Sequence, residues 1–385
     1  MIPSDRLLAI GLMSGTSADG IDAALVEVGR VPRTVRLLHQ HAQPYPGELR
    51  ERVLAAARGQ ASTAELCLLH MALGEAFGRA ALALCREAGT DPRAVNVIGS
   101  HGQTVWHAPE ADPPATLQLG APAAIARLTG VDVVSDFRAA DLAAGGQGAP
   151  LTPLLHHVLF AHPTADRAVV NLGGIANVTR LPAGKGPEAV TGMDTGPANM
   201  VIDAVVGHLT GGRERMDRNG GMAAEGTPHP ELLVALLAHP FIALPPPKST
   251  GRETFGARYV NDLVRRGRDL DLSPEDLVAT ATALSAHAVA LGLAALGGAQ
   301  EVLLCGGGAE NPVLAGMIAT LLPEARVAPT DAFGVPARAV EAMAFGELAA
   351  RTLWGEPGNL PVVTGASGPV VLGSITPAHA GPGAN

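Results

Sequence analysis

Two stretches of this chain share one shape: an apolar run, a break of glycine and small polar residues, and a second apolar run. The first spans Ala9 to Glu27 and breaks over Ser14-Gly15-Thr16-Ser17-Ala18-Asp19-Gly20. The second spans Arg167 to Thr179 and breaks at Gly173-Gly174. Apolar runs on either side of a glycine-containing turn read as β-hairpins, because glycine reaches backbone conformations that a Cβ forbids. A hairpin that recurs in the second half of a 385-residue chain predicts two units of like construction, and the length suffices for two full cores. The boundary is expected near Pro163, giving domains 1–163 and 164–385, with a C-terminal helix able to pack back on the first.

The rest of the chain alternates strand and helix signals, as an α/β protein does. Thr34 to Gln40 reads as a strand and Glu48 to Arg58 has helical spacing. Ser62-Thr63-Ala64-Glu65 is a capping box opening a helix to about Glu87. Val95 to Gly99 and Val131 to Val134 read as short buried strands, and Pro113-Pro114 and Gly145 to Gly148 as loops. Ser273-Pro274 places an N-cap and a first-turn proline on a long helix. Glu301 to Gly308 is a strand entering a glycine turn, Glu341 to Leu353 a final helix, and the tail from Gly355 a loop.

Charge narrows the partners. The net charge is −9 and no basic tract is present, which argues against a nucleic-acid partner while leaving room for one small phosphorylated ligand held by local donors. Cys67, Cys85 and Cys305 are scattered without metal-ligand spacing, as expected of small apolar fillers in a reducing cytoplasm. The N-terminus lacks the basic and apolar regions of a signal peptide. Between Asp276 and Glu301 there is no charged residue, but alanine and threonine are too weakly apolar for membrane insertion. A buried helix between two sheets or domains is expected there, and no membrane partner.

Candidate chemistry gathers at four glycine-rich turns expected after strands: 14–20, 145–148, 171–174 and 306–308. The first offers converging N–H and O–H donors, an anion cradle, together with Asp19 and Asp22, acceptors suited to a hydrated metal ion or a sugar hydroxyl. The two hairpin turns are placed to clamp opposite ends of a triphosphate. Gly306-Gly307-Gly308 either lets an adenine or ribose lie against bare backbone or is a tight strand-to-helix turn. In Gly192-Met193-Asp194-Thr195-Gly196-Pro197-Ala198-Asn199, Asp194 is expected at a strand end before a helix begun by Pro197. There it is either a rigid reacting carboxylate or that helix's cap. No Walker A sequence and no GxGxxG in a strand–turn–helix context occurs, which disfavours P-loop and dinucleotide folds.

The string Met13-Ser14-Gly15-Thr16-Ser17-Ala18-Asp19-Gly20-Ile21-Asp22 resembles the MSGTSxDGxD of the anhydro-N-acetylmuramic acid kinases, with Ala18 where that family usually has Leu. Further matches run in order along the chain. They are Ser100-His101-Gly102-Gln103-Thr104, Asp136-Phe137-Arg138 with Asp141 and Gly145 to Leu151, the GxDTGPxN around Asp194, Pro246 to Glu253, Glu341 to Phe345, and Val363 to Ala366. Asn171 stands where many members of the wider superfamily carry Asp; these kinases also carry Asn.

The resemblance implies the two-domain actin-like ATPase fold, a duplicated ribonuclease-H-like α/β architecture with an interdomain nucleotide cleft. It implies a cytoplasmic enzyme of cell-wall recycling with ATP and Mg²⁺ as cofactors, and suggests a homodimer. Its substrate is 1,6-anhydro-N-acetylmuramic acid, opened by water and phosphorylated at O6. Asp194 is then the catalytic base. The nucleotide contacts are Ser14, Gly15, Thr16, Ser17, Ala18, Asp19, Gly20, Ile21, Asp22, Gly173, Gly174, Gly306, Gly307 and Gly308, and no metal-ligand set is assigned. Substrate contacts are His101, Arg138, Asn177 and Glu341. Arg138 suits the lactyl carboxylate or pairs with Asp136 or Asp141. His101 bonds the sugar or is a packed structural residue. Glu341 is a second acid or a helix cap. Lys248 or Arg252 adds positive charge or lines an interface.

Overall fold

The computed structural model describes residues 4–378. The chain divides into two compact units, Met1–Leu159 with Arg338–Asn385, and Phe160–Ala337. The last segment, placed from sequence in the 164–385 domain apart from a returning helix, thus groups with the first unit from Arg338 onward.

The strands are β1 (Arg6–Ser14), β2 (Gly20–Gly29), β3 (Thr34–Pro44), β4 (Val97–Ala108), β5 (Ala115–Leu119) and β6 (Val133–Ser135). They continue with β7 (Arg167–Leu172), β8 (Ile175–Leu181), β9 (Thr191–Pro197), β10 (Glu301–Cys305), β11 (Arg326–Pro329) and β12 (Ser374–Thr376). In the first unit the order is β3-β2-β1-β4-β6, with β12 added at the β6 edge and β5 folded back on β4. In the second it is β9-β8-β7-β10-β11. Both sheets begin with two antiparallel pairings and continue with two parallel ones. Matching order and matching sense make this the duplicated ribonuclease-H-like arrangement of the actin-like ATPases.

In the first unit, side chains alternate across β1, so Ile10 and Leu12 face one way and Gly11 the other. Ile10 and Leu12 join Leu69, Leu73, Phe77 and Leu84 of the helix Thr63–Glu87 in one core. That helix opens with the expected capping box: Ser62 N–H donates to Glu65 Oε2 at 2.7 Å and Glu65 N–H to Ser62 Oγ at 3.3 Å. On the opposite side runs the helix Ala339–Trp354, so close that a Cβ at Gly11 would strike the Ala342 carbonyl and one at Gly99 the Phe345 carbonyl.

In the second unit, Val170, Leu172 and Val178 of the sheet pack with Val201, Val205, Val278 and Leu284 of the helices Asn199–Leu209 and Pro274–Ala295. The latter is the uncharged stretch. It and Thr63–Glu87 are long and apolar enough to cross a membrane, yet the most apolar window of Pro274–Ala295 is 78% buried in the protein. Its hydroxyls are satisfied inside the helix, Thr280 on Asp276 O at 2.7 Å and Thr282 on Val278 O at 2.9 Å. It packs against β9, where a Cβ at Gly292 would meet the Thr195 methyl.

Three sequence expectations change. The 145–148 turn follows a short helix, Ala139–Ala143, not a strand. β4 runs on to Ala108, so His101 and Gln103 sit within a strand. The tail after Gly355 forms the helix Pro361–Thr364 and β12, which pairs antiparallel with β6.

Candidate active site

The second unit brings four predicted or flagged residues into one row. Cys305 pairs with Asn171, Asn171 with Asn177, and Asn177 with Asp194, across β10, β7, β8 and β9. Residues directly opposite in register project from the same face of a sheet. Asn171 is buried, and its Oδ1 lies 4.0 Å from Cys305 Sγ. Asn177 Oδ1 is shielded and has no hydrogen-bond partner among the described residues, an acceptor waiting for a donor.

Asp194 is 6% exposed and sits inside β9, not at its end. Pro197 is the strand's last residue, and the next helix starts at Asn199 with Ala198 as a cap lacking a side-chain bond. Asp194 is therefore not that helix's cap. Its N–H donates to Lys248 O at 3.1 Å, and its Oδ2 accepts the Thr250 N–H at 2.9 Å. A carboxylate held at backbone and side chain is pre-set in one orientation. Thr250 Oγ1, beside it, is buried and unpartnered.

The helix N-terminus after β9 is closed by the second hairpin. Ala198 N–H and Met200 N–H donate to Gly174 O at 3.0 and 3.2 Å, and Asn199 N–H to Gly173 O at 3.1 Å. The carbonyls of that turn thus face the helix. The 306–308 turn also divides. A Cβ at Gly306, whose φ is 78°, would collide with Asn171 Oδ1, and one at Gly308 would come 2.7 Å from Leu172 Cβ. Only Gly307 of the three faces open space. Two of the glycines serve packing and one leaves backbone bare.

In the first unit the turn between β1 and β2 is braced from beneath. Ser14, 1% exposed, is turned inward: its Oγ lies 2.6 Å from Gly20 O and 2.7 Å from Gln103 Oε1, and it accepts the Tyr45 hydroxyl at 3.0 Å. A hydroxyl has one proton and a pair of acceptor sites, so Ser14 is spent on the protein. Gln103 also donates to Gly15 O at 3.0 Å. Burial pushes the Tyr45 hydroxyl pKa well above its ordinary value, so the phenol stays protonated. Above this brace, Gly15, Thr16 and Ser17 are half-buried and Asp19 is exposed, with Ser17 Oγ donating to Asp19 Oδ1 at 3.0 Å. Ala18 has a φ of 54°, a conformation a non-glycine residue adopts at a cost of about 1 kcal/mol. Stored strain of this kind collects at ligand-holding turns.

His101 and Arg138 are joined. Arg138 Nε and Nη2 lie 3.1 and 2.9 Å from His101 Nε2, and Arg138 Nη1 donates to Gly148 O at 2.6 Å. The imidazole accepts at Nε2 and donates from Nδ1 to Gly102 O at 2.9 Å. Burial, and next the guanidinium, hold the His101 pKa well below the usual histidine range, so the ring is neutral. The Phe345 ring lies 4.7 Å from it. Glu341 is one helical turn before Phe345 and on the same face, in the first turn of Ala339–Trp354.

Sequence reasoning missed the supports. Asp141 is fully buried: Oδ2 accepts Gly148 N–H at 2.7 Å, and Oδ1 accepts Asn359 Nδ2 and Thr364 Oγ1, each at 2.7 Å. It pins the glycine loop whose carbonyl holds Arg138. Lys248 is buried. The available signal was the strings themselves, since Gln103, Asp141, Lys248 and Thr364 all lie within them.

The chain matches the family model described as anhydro-N-acetylmuramic acid kinase over residues 7–378. It is 43% identical over 385 residues to the anhydro-N-acetylmuramic acid kinase of Caldanaerobacter subterraneus, covering 97% of each chain. It is 46% identical to the one from Gloeobacter violaceus, over 97% of this chain and 100% of that one. A third, from a Cyanothece species, is 44% identical over 95% of this chain and 98% of its own. The chain belongs to the anhydro-N-acetylmuramic acid kinase family.

Proposed function

We propose that Asp194 is the base of the family's reaction, in which ring opening and phosphorylation of 1,6-anhydro-N-acetylmuramic acid are one event. Water loses its proton to the Asp194 carboxylate and its oxygen bonds to C1. The C1–O6 bond breaks, O6 takes the γ-phosphoryl group of ATP, and ADP leaves with N-acetylmuramic acid 6-phosphate. Glycosidases use a second carboxyl group to protonate the leaving oxygen. Here phosphoryl capture stabilises O6 instead, so one base suffices.

The observation that carries this reading is the fixed Asp194 carboxylate beside the unpartnered acceptors of Asn177 and Thr250. Those acceptors suit sugar hydroxyls or an amide N–H. On the first unit, the N–H groups and hydroxyls of residues 15–19 are assigned to the ATP phosphates, with Ser14 beneath them as a brace. The contribution of Gly173 and Gly174 is confined to their N–H groups, since their carbonyls face a helix. Arg138 and His101 act as a unit toward the lactyl group, with Glu341 close by in the fold. Mg²⁺ is held through one or two carboxylates plus phosphates rather than by a full protein cage. Asp19, exposed in the turn, and Asp22 fit that demand. When bound, the ion neutralises phosphate charge. ATP use places the enzyme in the cytoplasm, where that pool resides.

Incubation with Mg-ATP and the anhydro sugar in ¹⁸O-water tests the reaction: the product gains one phosphoryl group and one labelled oxygen at C1. Asp194→Asn is expected to lower kcat by roughly 10²–10⁴-fold with ATP affinity nearly unchanged. Undiminished turnover in that variant removes Asp194 as the base.

A further inference from the structure

Lys248 lies in a segment rich in Pro, Ser, Thr and Gly and is 7% exposed. Its Nζ donates to Phe241 O at 2.9 Å and Ile242 O at 3.0 Å and rests 4.7 Å above the Phe241 ring. Carbonyls and a ring face take up the ammonium's hydrogens, so this cation is not placed to bind a phosphate. The same residue's carbonyl accepts the Asp194 N–H, and two residues later Thr250 N–H reaches the Asp194 carboxylate. One short segment therefore grips Asp194 twice, and the buried ammonium anchors that segment.

We propose that Lys248 is a positioning residue for Asp194: its ammonium fixes the segment whose peptide groups orient the carboxylate, and supplies the positive charge that keeps the carboxylate a base. The proposal rests on Asp194 being the base. Burial draws the Lys248 pKa down and the charge on Asp194 draws it back up, an attraction between ammonium and carboxylate. Other titratable groups lie on neighbouring elements. Arg252 and Glu253 follow on the same segment. His239 packs tilted and Tyr259 edge-on against the Phe255 ring, which meets Phe241 edge-on. His287 is on the helix packed against β9, and the residue opposite Asp194 on β8, Asn177, is neutral. The segment bearing Lys248 bonds to Asp194 through its own peptide groups.

The test compares Lys248→Met, Lys248→Gln and Lys248→Arg with the unaltered enzyme. It reads the pH profile of kcat/KM and, by NMR, the pH titration of the Thr250 amide, which reports Asp194 ionisation without turnover. Methionine removes charge and donors; glutamine keeps N–H donors and guards against a variant that does not fold. Both are expected to move the acid limb and the amide midpoint upward by about one pH unit. That is roughly a tenfold loss of kcat/KM at any pH below the limb. Lys248→Arg, which keeps the charge, is expected to hold the limb in place. Loss by the same factor at every pH, with limb and amide midpoint unmoved in the Met and Gln proteins, overturns the proposal. An active Asp194→Asn enzyme removes the assignment of the base itself. A dead one with an unmoved limb removes only the role of Lys248.

Discussion

The two hairpin turns occupy the same place in two sheets of matching order, yet they do different work. The turn between β1 and β2 spans residues 15–19, is strained at Ala18, and stands on a buried platform of Ser14, Gln103 and Tyr45. The turn between β7 and β8 is Gly173-Gly174, and its carbonyls are consumed by the first N–H groups of a helix. The long turn keeps Gly15, Thr16 and Ser17 half-buried and Asp19 exposed; the tight glycine turn has its carbonyls committed to the fold. Shared topology therefore sets where a turn lies and its length sets what it can bind. The second unit makes up for its spent turn with the polar row that ends at Asp194.

The seams behind the sheets give the largest expected effect. At Gly11 the obstacle to a Cβ is the backbone carbonyl of Ala342, which cannot rotate away; at Gly292 it is the methyl of Thr195, which can. Gly11→Ala is expected to destabilise the first unit by about 3 kcal/mol or more, and Gly292→Ala the second by about 1–2 kcal/mol. Melting temperatures would fall by about 6–12 °C for the former and half that for the latter. Equal losses would mean that the two seams are packed alike.

Next is the platform. Gln103→Leu removes one of the two oxygens within reach of the Ser14 proton and one of the two N–H donors on the Gly15 carbonyl, a loss of about 0.5–1.5 kcal/mol for each bond if the turn stays in place. The turn is expected to shift instead, raising the KM for ATP about tenfold with kcat for saturating ATP changed less. Gly173→Ala, beside the second turn, is expected to move that KM by less than about threefold, because a Cβ there meets nothing closer than 3.4 Å. A larger effect from Gly173 than from Gln103 would reverse the assignment of the phosphates to the first turn.

Acid distinguishes the units more gently. His101, His107 and His156 of the first unit are all held below the usual histidine range chiefly by burial, His107 at about 4 and His156 at about 3. Each is neutral when folded and takes up a proton near 6.5 when unfolded. Their contribution is thus present above pH 6.5 and is lost as pH falls from there toward about 4 and about 3. Denaturant melts between pH 7 and pH 5 should show the first unit weakening before the second. His107→Phe should flatten part of that slope, and an unchanged slope would deny His107 a share.

What was legible in the sequence was local. The hairpins, the capping box at Ser62, and the N-cap at Ser273 depend on residues a few positions apart, and each is found where the sequence places it. What was not legible depends on partners far along the chain. Asp194 meets the Lys248 segment, Asp141 meets Thr364, and β12 meets β6. The row from Cys305 to Asp194 needs strand register, which spacing alone does not give. The burial of Lys248 is likewise decided by the Phe241 and Ile242 carbonyls that surround its ammonium, which spacing alone does not give.

The smallest effect separates the glycines of the last turn. Gly306 and Gly308 are required by Asn171 and Leu172, so alanine at either is expected to destabilise the second unit before any effect on ligand can be read. Gly307 has open space above it, so Gly307→Ala should change stability by no more than about 0.5 kcal/mol. A nucleotide base or ribose lying on that bare backbone would be lifted by the new methyl. ATP affinity measured by calorimetry should then weaken severalfold, with the affinity for inorganic triphosphate, which lacks the base and the ribose, unchanged. Equal weakening of both ligands would show that the turn reaches the phosphates. No weakening of either would leave the 306–308 turn as packing alone, a second glycine turn in this unit consumed by its own fold.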